Sequence, residues 1–195
     1  MRDTKEPPMS RAVIVFAALA AGVFAVADEK KSENLIVNGS FEMGPDAGEF
    51  KPLDKDSTEI KGWTVTRAQI DYIGTYWQHA QGEHSLDLHG SPGIGGVSQK
   101  FKTKRGQKYR VTFMLAGNPE GSVAKKKMAV KAAGKQMEFE FDTTGKTKTD
   151  MGWVKKTWEF TADADETTLE LFSTMTEDES CGPCLDDVSV VEVKE

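Results

Sequence analysis

The densest gathering of chemically useful side chains is the stretch Tyr72-Ile-Gly-Thr-Tyr76-Trp77-Gln78-His79. Aromatic rings stack on the apolar C–H faces of a small molecule, while amide and imidazole groups fix its hydroxyls. The stretch has little strand alternation and reads as an exposed loop, where aromatics serve binding. The alternative is that Tyr72 and Trp77 cap one end of the fold. A second constellation is the carboxylate pair Glu42 and Asp186. Asp186 shares strand parity with Val188 and Val190, so its side chain is expected to point inward. A buried carboxylate must be paired or metal-bound, and Ca²⁺ takes about six to eight oxygen ligands. The competing expectation is that Glu42 and Asp186 accept backbone N–H bonds and pin the termini without metal. Asp187, of opposite parity, is the weaker candidate.

Other motifs point away from catalysis. Cys181-Gly182-Pro183-Cys184 has the spacing of a thiol redox motif. Such a motif works at the start of a helix, which lowers the thiol pKa. Here it runs into Leu185-Asp186-Asp187-Val188-Ser189-Val190, a strand pattern. That leaves a small loop-closing disulfide between Cys181 and Cys184, or two thiols. His79, His84 and His89 recur at every fifth position, but on a strand His84 and His89 would face opposite sides. No G-x-S-x-G elbow, no H-E-x-x-H helix and no grouped carboxylates appear. Lys125-Lys126-Lys127 is the only basic cluster and reads as a solvated loop or strand edge. With a net charge of −6, the chain lacks the basic footprint that phosphate binding needs, so nucleic acid is not an expected partner.

The elements that position these residues read as strands from Asn34 onward. Tyr109, Val111, Phe113 and Leu115 alternate with more polar neighbours, as do Met137, Phe139 and Phe141, then Trp158 and Phe160, then Leu169 and Leu171, then Val188 and Val190. Turn clusters separate them at Gly117-Asn118-Pro119, Thr143-Thr144-Gly145 and Gly182-Pro183. Many short strands divided by turns predict a two-sheet sandwich or jelly roll. Met43 to Thr58 is polar and reads as one long loop. Trp63, Trp153 and Trp158 sit in strand-like motifs and are expected in the core.

Several fragments, in order, resemble a known family. They are Asn34-Leu-Ile-Val-Asn38-Gly39-Ser40-Phe41-Glu42 as an opening strand and turn, Gly62-Trp63, Gly82-Glu-His-Ser85-Leu86-Asp87-Leu88-His-Gly90, and Gly95-Gly96-Val97-Ser98-Gln99. Tyr109 to Pro119, Met151-Gly152-Trp153 and Gly182 to Val188 follow. The set is similar to the choice-of-anchor C family, a bacterial relative of the plant cell-wall family called domain of unknown function 642. The resemblance spans about Asn34 to Val193. It implies an all-β, jelly-roll β-sandwich of the galactose-binding-like kind, export from the cell, and no known catalytic activity. Plant relatives are associated with cell-wall polysaccharide and with wall-modifying enzymes. They usually carry two such domains, and many bacterial members carry a C-terminal anchor; a single domain without an anchor is the expectation here. Similar carbohydrate-binding jelly rolls place a structural calcium between a Glu after the first strand and an Asp on the last, which implies Glu42 and Asp186 here.

The N-terminus has a different character. Ala12 to Ala27 is uncharged and largely apolar, Ala25-Val26-Ala27 is a small-x-small cleavage signature, and charged residues follow. Residues 1–27 are expected to be a secretory signal peptide, 28–33 a short polar segment, and 34–195 a single domain. The remaining sequence holds no run long enough to span a membrane. The composition, 29% charged and 38% hydrophobic, is that of a globular chain. These readings lead to a secreted non-catalytic module (periplasmic, cell-surface or extracellular) for cell-wall or extracellular polysaccharide. Tyr72, Tyr76 and Trp77 would stack on sugar, with Gln78 and His79 as polar partners. The rival expectations are a structural or protein-interaction module that meets an envelope protein, and a polysaccharide-acting enzyme on the same scaffold.

Overall fold

The alternating runs fold as strands. A computed structural model describes residues 33–91, 93–176 and 180–194. Residues 1–27, expected to be a signal peptide, and nearly all of 28–33 lie outside the described residues. The strands are β1 (Phe50–Asp54), β2 (Thr64–Arg67), β3 (Gln69–Ile73), β4 (Ser85–Asp87), β5 (His89–Gly90) and β6 (Gly93–Lys102). They continue as β7 (Lys108–Gly117), β8 (Lys125–Ala132), β9 (Lys135–Asp142), β10 (Val154–Thr161), β11 (Glu166–Ser173) and β12 (Pro183–Glu192). There is no helix among the described residues.

Two antiparallel sheets stack as a jelly-roll sandwich. The first runs β1-β3-β4-β12-β7-β10; the second runs β2-β6-β11-β8-β9, with β5 paired to β6. The last strand lies between β4 and β7, so the chain's end is locked into the middle of a sheet. Val111, Phe113 and Leu115 of β7 are fully buried, as are Val130 of β8 and Leu169 and Leu171 of β11. Rings span the layers: Phe113 of β7 meets Phe139 of β9 edge-on at 5.2 Å, and Phe101 of β6 meets Phe160 of β10 at 6.5 Å. Full burial of each such side chain contributes about 1.5–3 kcal/mol. Trp63 and Trp158 are in this core, and Trp153 packs against it half-buried.

Four expectations are corrected. Residues 34–42 form turns, not an opening strand. They still pin the end of the chain, because Leu35 N–H donates to Val190 O at 2.8 Å and Asn34 Oδ1 accepts from Val190 N–H at 3.0 Å. Gly39 lies so close to β12 that an added Cβ would fall 1.9 Å from Val188 O. The 43–58 segment contains β1, an edge strand that buries only Leu53 and carries Pro52, which explains its polar, unstrand-like sequence. Within the lysine run, Lys125 and Lys127 are exposed but Lys126 is fully buried. It sits on the inward face of an interior strand, and its Nζ donates to Cys181 O at 2.7 Å.

The fourth correction concerns Asp186. Its parity is broken by a bulge in β12, where the register against β7 shifts between Asp186 and Ser189 and Asp187 adopts φ +46°. Leu185 pairs with the inward Leu115, so Asp186 lies on the outer face, whereas Val190 pairs with Val111 inside. Asp186 is nevertheless 0% exposed, because a loop covers it. The bulge residue is the sensitive point. Asp187→Gly is expected to hold or raise stability by up to about 1 kcal/mol, and Asp187→Val to lower it by about 1–2 kcal/mol, in urea denaturation.

Candidate functional site

The outer face of the first sheet carries an open cleft of about 380 Å³. Phe50, Pro52, Asp71, Ile73, Tyr76, Trp77, Asp87, Asn118 and Glu120 line it, with Gln69, Ser91, Ser180 and Cys181. Strand parity explains the set. Pro52, Asp71, Asp87 and Cys184 are successive cross-strand partners on β1, β3, β4 and β12. Their neighbours Tyr72, Leu86 and Leu185 face the core.

Asp87 is the most elaborately held group of the cleft. It is 1% exposed, and its Oδ1 accepts N–H bonds from His89 and Gly182, each at 3.0 Å, while Oδ2 accepts from Asn118 Nδ2 at 2.9 Å. Burial pushes its pKa up to about 7; the Asn118 bond opposes the rise and the Asp71 charge adds to it. Gly182 reaches Asp87 only because it lacks a side chain, since a Cβ there would stand 2.6 Å from Asp87 Oδ1 and 2.3 Å from His89 Cβ. The Cys-Gly-Pro-Cys sequence is therefore a docking turn. No disulfide joins Cys181 to Cys184. Of the two alternatives the sequence left open, the thiol form is the one described: Cys184 is buried in extended β12 with its Sγ directed at Gly182 O, 3.8 Å away, and burial raises its thiol pKa.

Asp71 contrasts with its partner. It is half-buried, accepts no hydrogen bond from the described residues, and burial alone pushes its pKa up to about 6. The wall beside it is aromatic. Phe50, 44% exposed, meets the Tyr76 ring edge-on at 5.3 Å, and Trp77 follows at 5.6 Å. Tyr76 OH donates to Glu120 Oε2, and the Lys148 ammonium lies 3.6 Å from the Tyr76 ring centre and 2.8 Å from Glu120 Oε1. The Lys148 and Tyr76 bonds hold Glu120 below the usual glutamate pKa.

The expected stacking platform is divided by the structure. Tyr76 and Trp77 line the cleft. Tyr72 does not, which corrects the exposed-loop reading: it is an inward residue of β3 with 0% exposure, its OH donating to Phe41 O at 2.7 Å. Its ring stacks on His84, and its pKa is pushed up to about 12 by burial and then by the Glu42 charge. Trp77, too, is largely covered, its Nε1–H donating to Ser85 Oγ at 2.9 Å. Ser85 Oγ lies 2.9 Å from His79 Nδ1, and His79 Nε2 lies 2.6 Å from Gly74 O. One tautomer satisfies this chain, with Nε2–H donating to Gly74 and Nδ1 accepting from Ser85. Burial lowers the His79 pKa, a shift in the direction of that neutral form. Gln78 is exposed but turned to the β9–β10 loop, with Oε1 accepting from Met151 N–H and its carbonyl accepting from Trp153 Nε1–H. His79 lines a second, shallower cavity of about 710 Å³ with Trp77, Glu83 and His84.

Glu42 and Asp186 converge on one loop. Glu42 Oε1 accepts from Glu83 and His84 N–H, and its Oε2 lies 3.1 Å from His84 Nδ1. Asp186 Oδ2 accepts from Ala80 and Gln81 N–H, both at 2.9 Å, and Oδ1 from Asp187 N–H. Burial still pushes Asp186 up to about 7, against those bonds. As test of the calcium expectation, these oxygens face N–H donors, which repel a cation, in place of further oxygen ligands. Among the described residues no group of three or more His, Cys, Asp or Glu could hold a metal. The pair fits a backbone clamp, and no chemistry is derived through calcium.

Sequence reasoning missed Asp71, Asp87, Asn118, Glu120, Gln69 and Phe50. One signal was present: in Ser85-Leu86-Asp87-Leu88 the leucines claim the inward face, so Asp87 must face outward.

Two tests follow from these carboxylates. The clamp predicts that a chelator leaves the thermal midpoint unchanged, while Asp186→Asn, which turns an amide toward amide donors, costs about 1–3 kcal/mol. A midpoint that falls with chelator and returns with Ca²⁺ would place a cation there. For Asp71, the raised folded-state pKa means that its contribution is present below about 4 and lost as pH rises to about 6. Relative to the parent, Asp71→Asn should therefore gain roughly 2–4 °C in thermal midpoint between pH 4 and 7, or about 1 kcal/mol after discounting for solvent contact. A flat difference in calorimetry would count against this desolvation.

Relatives were found at both levels. The chain is 28% identical over 200 residues to Halomucin of Haloquadratum walsbyi, covering 98% of this chain and 2% of that protein. It is 25% identical over 171 residues to Protein DUF642 L-GALACTONO-1,4-LACTONE-RESPONSIVE GENE 2 of Arabidopsis thaliana, covering 81% and 42%. The chain thus spans less than half the length of either relative. Among solved structures, TmCBM61 in complex with β-1,4-galactotriose superposes with a TM-score of 0.50 at 17% identity, over 83% of this chain and 100% of that one. The CBM22-1–CBM22-2 tandem of Paenibacillus barcinonensis Xyn10C gives a TM-score of 0.50 at 19% identity, over 87% and 48%. At these identities the likeness is one of fold, and it agrees with the stacked sheets described above. Residues 34–191 match the family described as Protein of unknown function (DUF642), and the chain belongs to that family.

Proposed function

We propose that this chain is a secreted, non-catalytic module that binds cell-wall or extracellular polysaccharide in the cleft on the outer face of the first sheet. The observation that carries the reading is the cleft's composition. An aromatic wall of Phe50, Tyr76 and Trp77 stands beside a polar floor of Asp71, Asp87, Asn118 and Gln69. Aromatic faces take the C–H side of a sugar ring, and the floor takes its hydroxyls. TmCBM61 holds a galactotriose on a similar fold, which supports the choice of ligand class. Secretion rests on the N-terminal sequence, and the kinship with choice-of-anchor C proteins on the ordered fragments; both belong to this proposal.

Binding is favoured over catalysis by how the carboxylates are used. Asp87 engages three N–H donors, and Glu120 engages Tyr76 and Lys148. Asp71 faces Asp87, whose two oxygens are both taken by N–H donors and so are not free to exchange a proton with a ligand. A glycan array on the purified protein identifies the ligand, and calorimetry then measures it. Phe50→Ala and Tyr76→Ala are each expected to weaken binding roughly tenfold, about 1.4 kcal/mol, with the midpoint nearly unchanged for the exposed Phe50. Unaltered affinity in both variants would move the site elsewhere.

A further inference from the structure

We propose that the cleft sorts glycans by charge: it accepts sugar units that present hydrogen-bond donors, prefers those with a free amino group, and turns away uronates. This rests on the reading of the cleft as a glycan site and names the class of sugar it takes. Three carboxylates line the cleft, those of Asp71, Asp87 and Glu120, and no Lys, Arg or His is among its described lining residues. Asp71 and Asp87 are direct cross-strand partners, so two acids share one strip of floor.

Much of the cleft's own donor capacity is committed: one N–H of Asn118 Nδ2 is given to Asp87, one N–H of Gln69 Nε2 to Asp54 Oδ1 at 2.7 Å, Tyr76 OH to Glu120 and Trp77 Nε1–H to Ser85. The donors left to a ligand are neutral amide and hydroxyl groups, none of them a cation. The neighbouring cations are engaged as well: Lys148 pairs with Glu120, and the buried Lys126 ammonium donates to Cys181 O. The one charged group the floor leaves open to a ligand is an acceptor, the carboxylate of Asp71, which receives no hydrogen bond from the described residues. A hydroxyl satisfies it as a donor. An ammonium satisfies it and also neutralises it, giving a charge-assisted bond. A uronate carboxylate brings acceptor oxygens and negative charge to a site that already has both, and like charges brought together in a partly desolvated cleft repel strongly.

The test is calorimetry on the full chain at about pH 7 and low salt, above the raised pKa of Asp71, so that its carboxylate is charged. Its neutral arm is galacto-, cello- and xylotetraose with β-1,4 links. Its cationic arm is the β-1,4 tetramer of glucosamine, and its anionic arm is the tetramer of galacturonic acid. At least one neutral tetramer should bind. The glucosamine tetramer should bind about tenfold more tightly than cellotetraose, and the galacturonate tetramer at least about thirtyfold more weakly than the best neutral one. Asp71→Asn, shown folded by its thermal midpoint, should bring the glucosamine-to-cellotetraose ratio close to one. Galacturonate binding on a par with the neutral tetramers, or a ratio untouched in Asp71→Asn, overturns the charge selection and leaves the glycan reading standing. Absence of binding in every arm overturns both.

Discussion

Two aspartates face one another across neighbouring strands, on the side of the first sheet that the loops cover. Like charges directly opposite in a sheet are destabilising, and here both are partly or wholly removed from water. The protein meets this cost unequally. Asp87 is saturated with N–H donors, and those donors belong to the β4–β5 turn, to the Asn118 loop and to the turn that leads into β12. Those last two segments are then tied to each other, because Asn118 N–H donates to Gly182 O at 2.9 Å. One buried carboxylate thus fixes the rim of the cleft, and its partner Asp71 keeps the unsatisfied valence.

The same device recurs at the other end of the outer face. Asp186 and Glu42 gather the N–H groups of Ala80, Gln81, Glu83 and His84. This loop would otherwise have to leave its backbone donors to water or bury them unpaired, which is costly. Carboxylates aimed at successive amides do the work that a helix or a ladder would do for a regular segment. The bulge at Asp187 makes it possible, since without the shift in register Asp186 would follow the alternation of Val188 and Val190 into the apolar core.

How much of this was legible depended on whether a feature was local. Strands such as Met137-Phe139-Phe141 declare themselves by alternation, and with the turns between them they are enough for the two-sheet sandwich. β1 did not declare itself, because an edge strand with one buried residue has almost no apolar face to show. Asp186 was correctly expected to be buried, but the parity argument assumed an unbroken ladder, and a single left-handed residue reversed the side. Tyr72 and Tyr76 looked alike in sequence. Their fates separate because Tyr72 still lies within β3, whose alternation sends it inward, whereas Tyr76 lies past Gly74, where alternation no longer governs. The opposition of Asp71 and Asp87 was least accessible, since it depends on register between strands that a long loop separates.

That long loop also explains why the cleft is suited to holding a ligand without first rearranging. Trp77 lines both the cleft and the second cavity, and its indole is fixed by the run of hydrogen bonds through Ser85 and His79 to Gly74. Tyr76 is fixed by Glu120, which is itself held by Lys148. Two of the three rings of the wall are therefore secured by polar contacts at their edges, and Phe50 leans edge-on against the nearer of them. Ordering side chains on association takes about 0.5–1.5 kcal/mol for each one immobilised. A wall already ordered in the free protein avoids most of that loss, so even a shallow cleft of this size can convert ring stacking into net affinity.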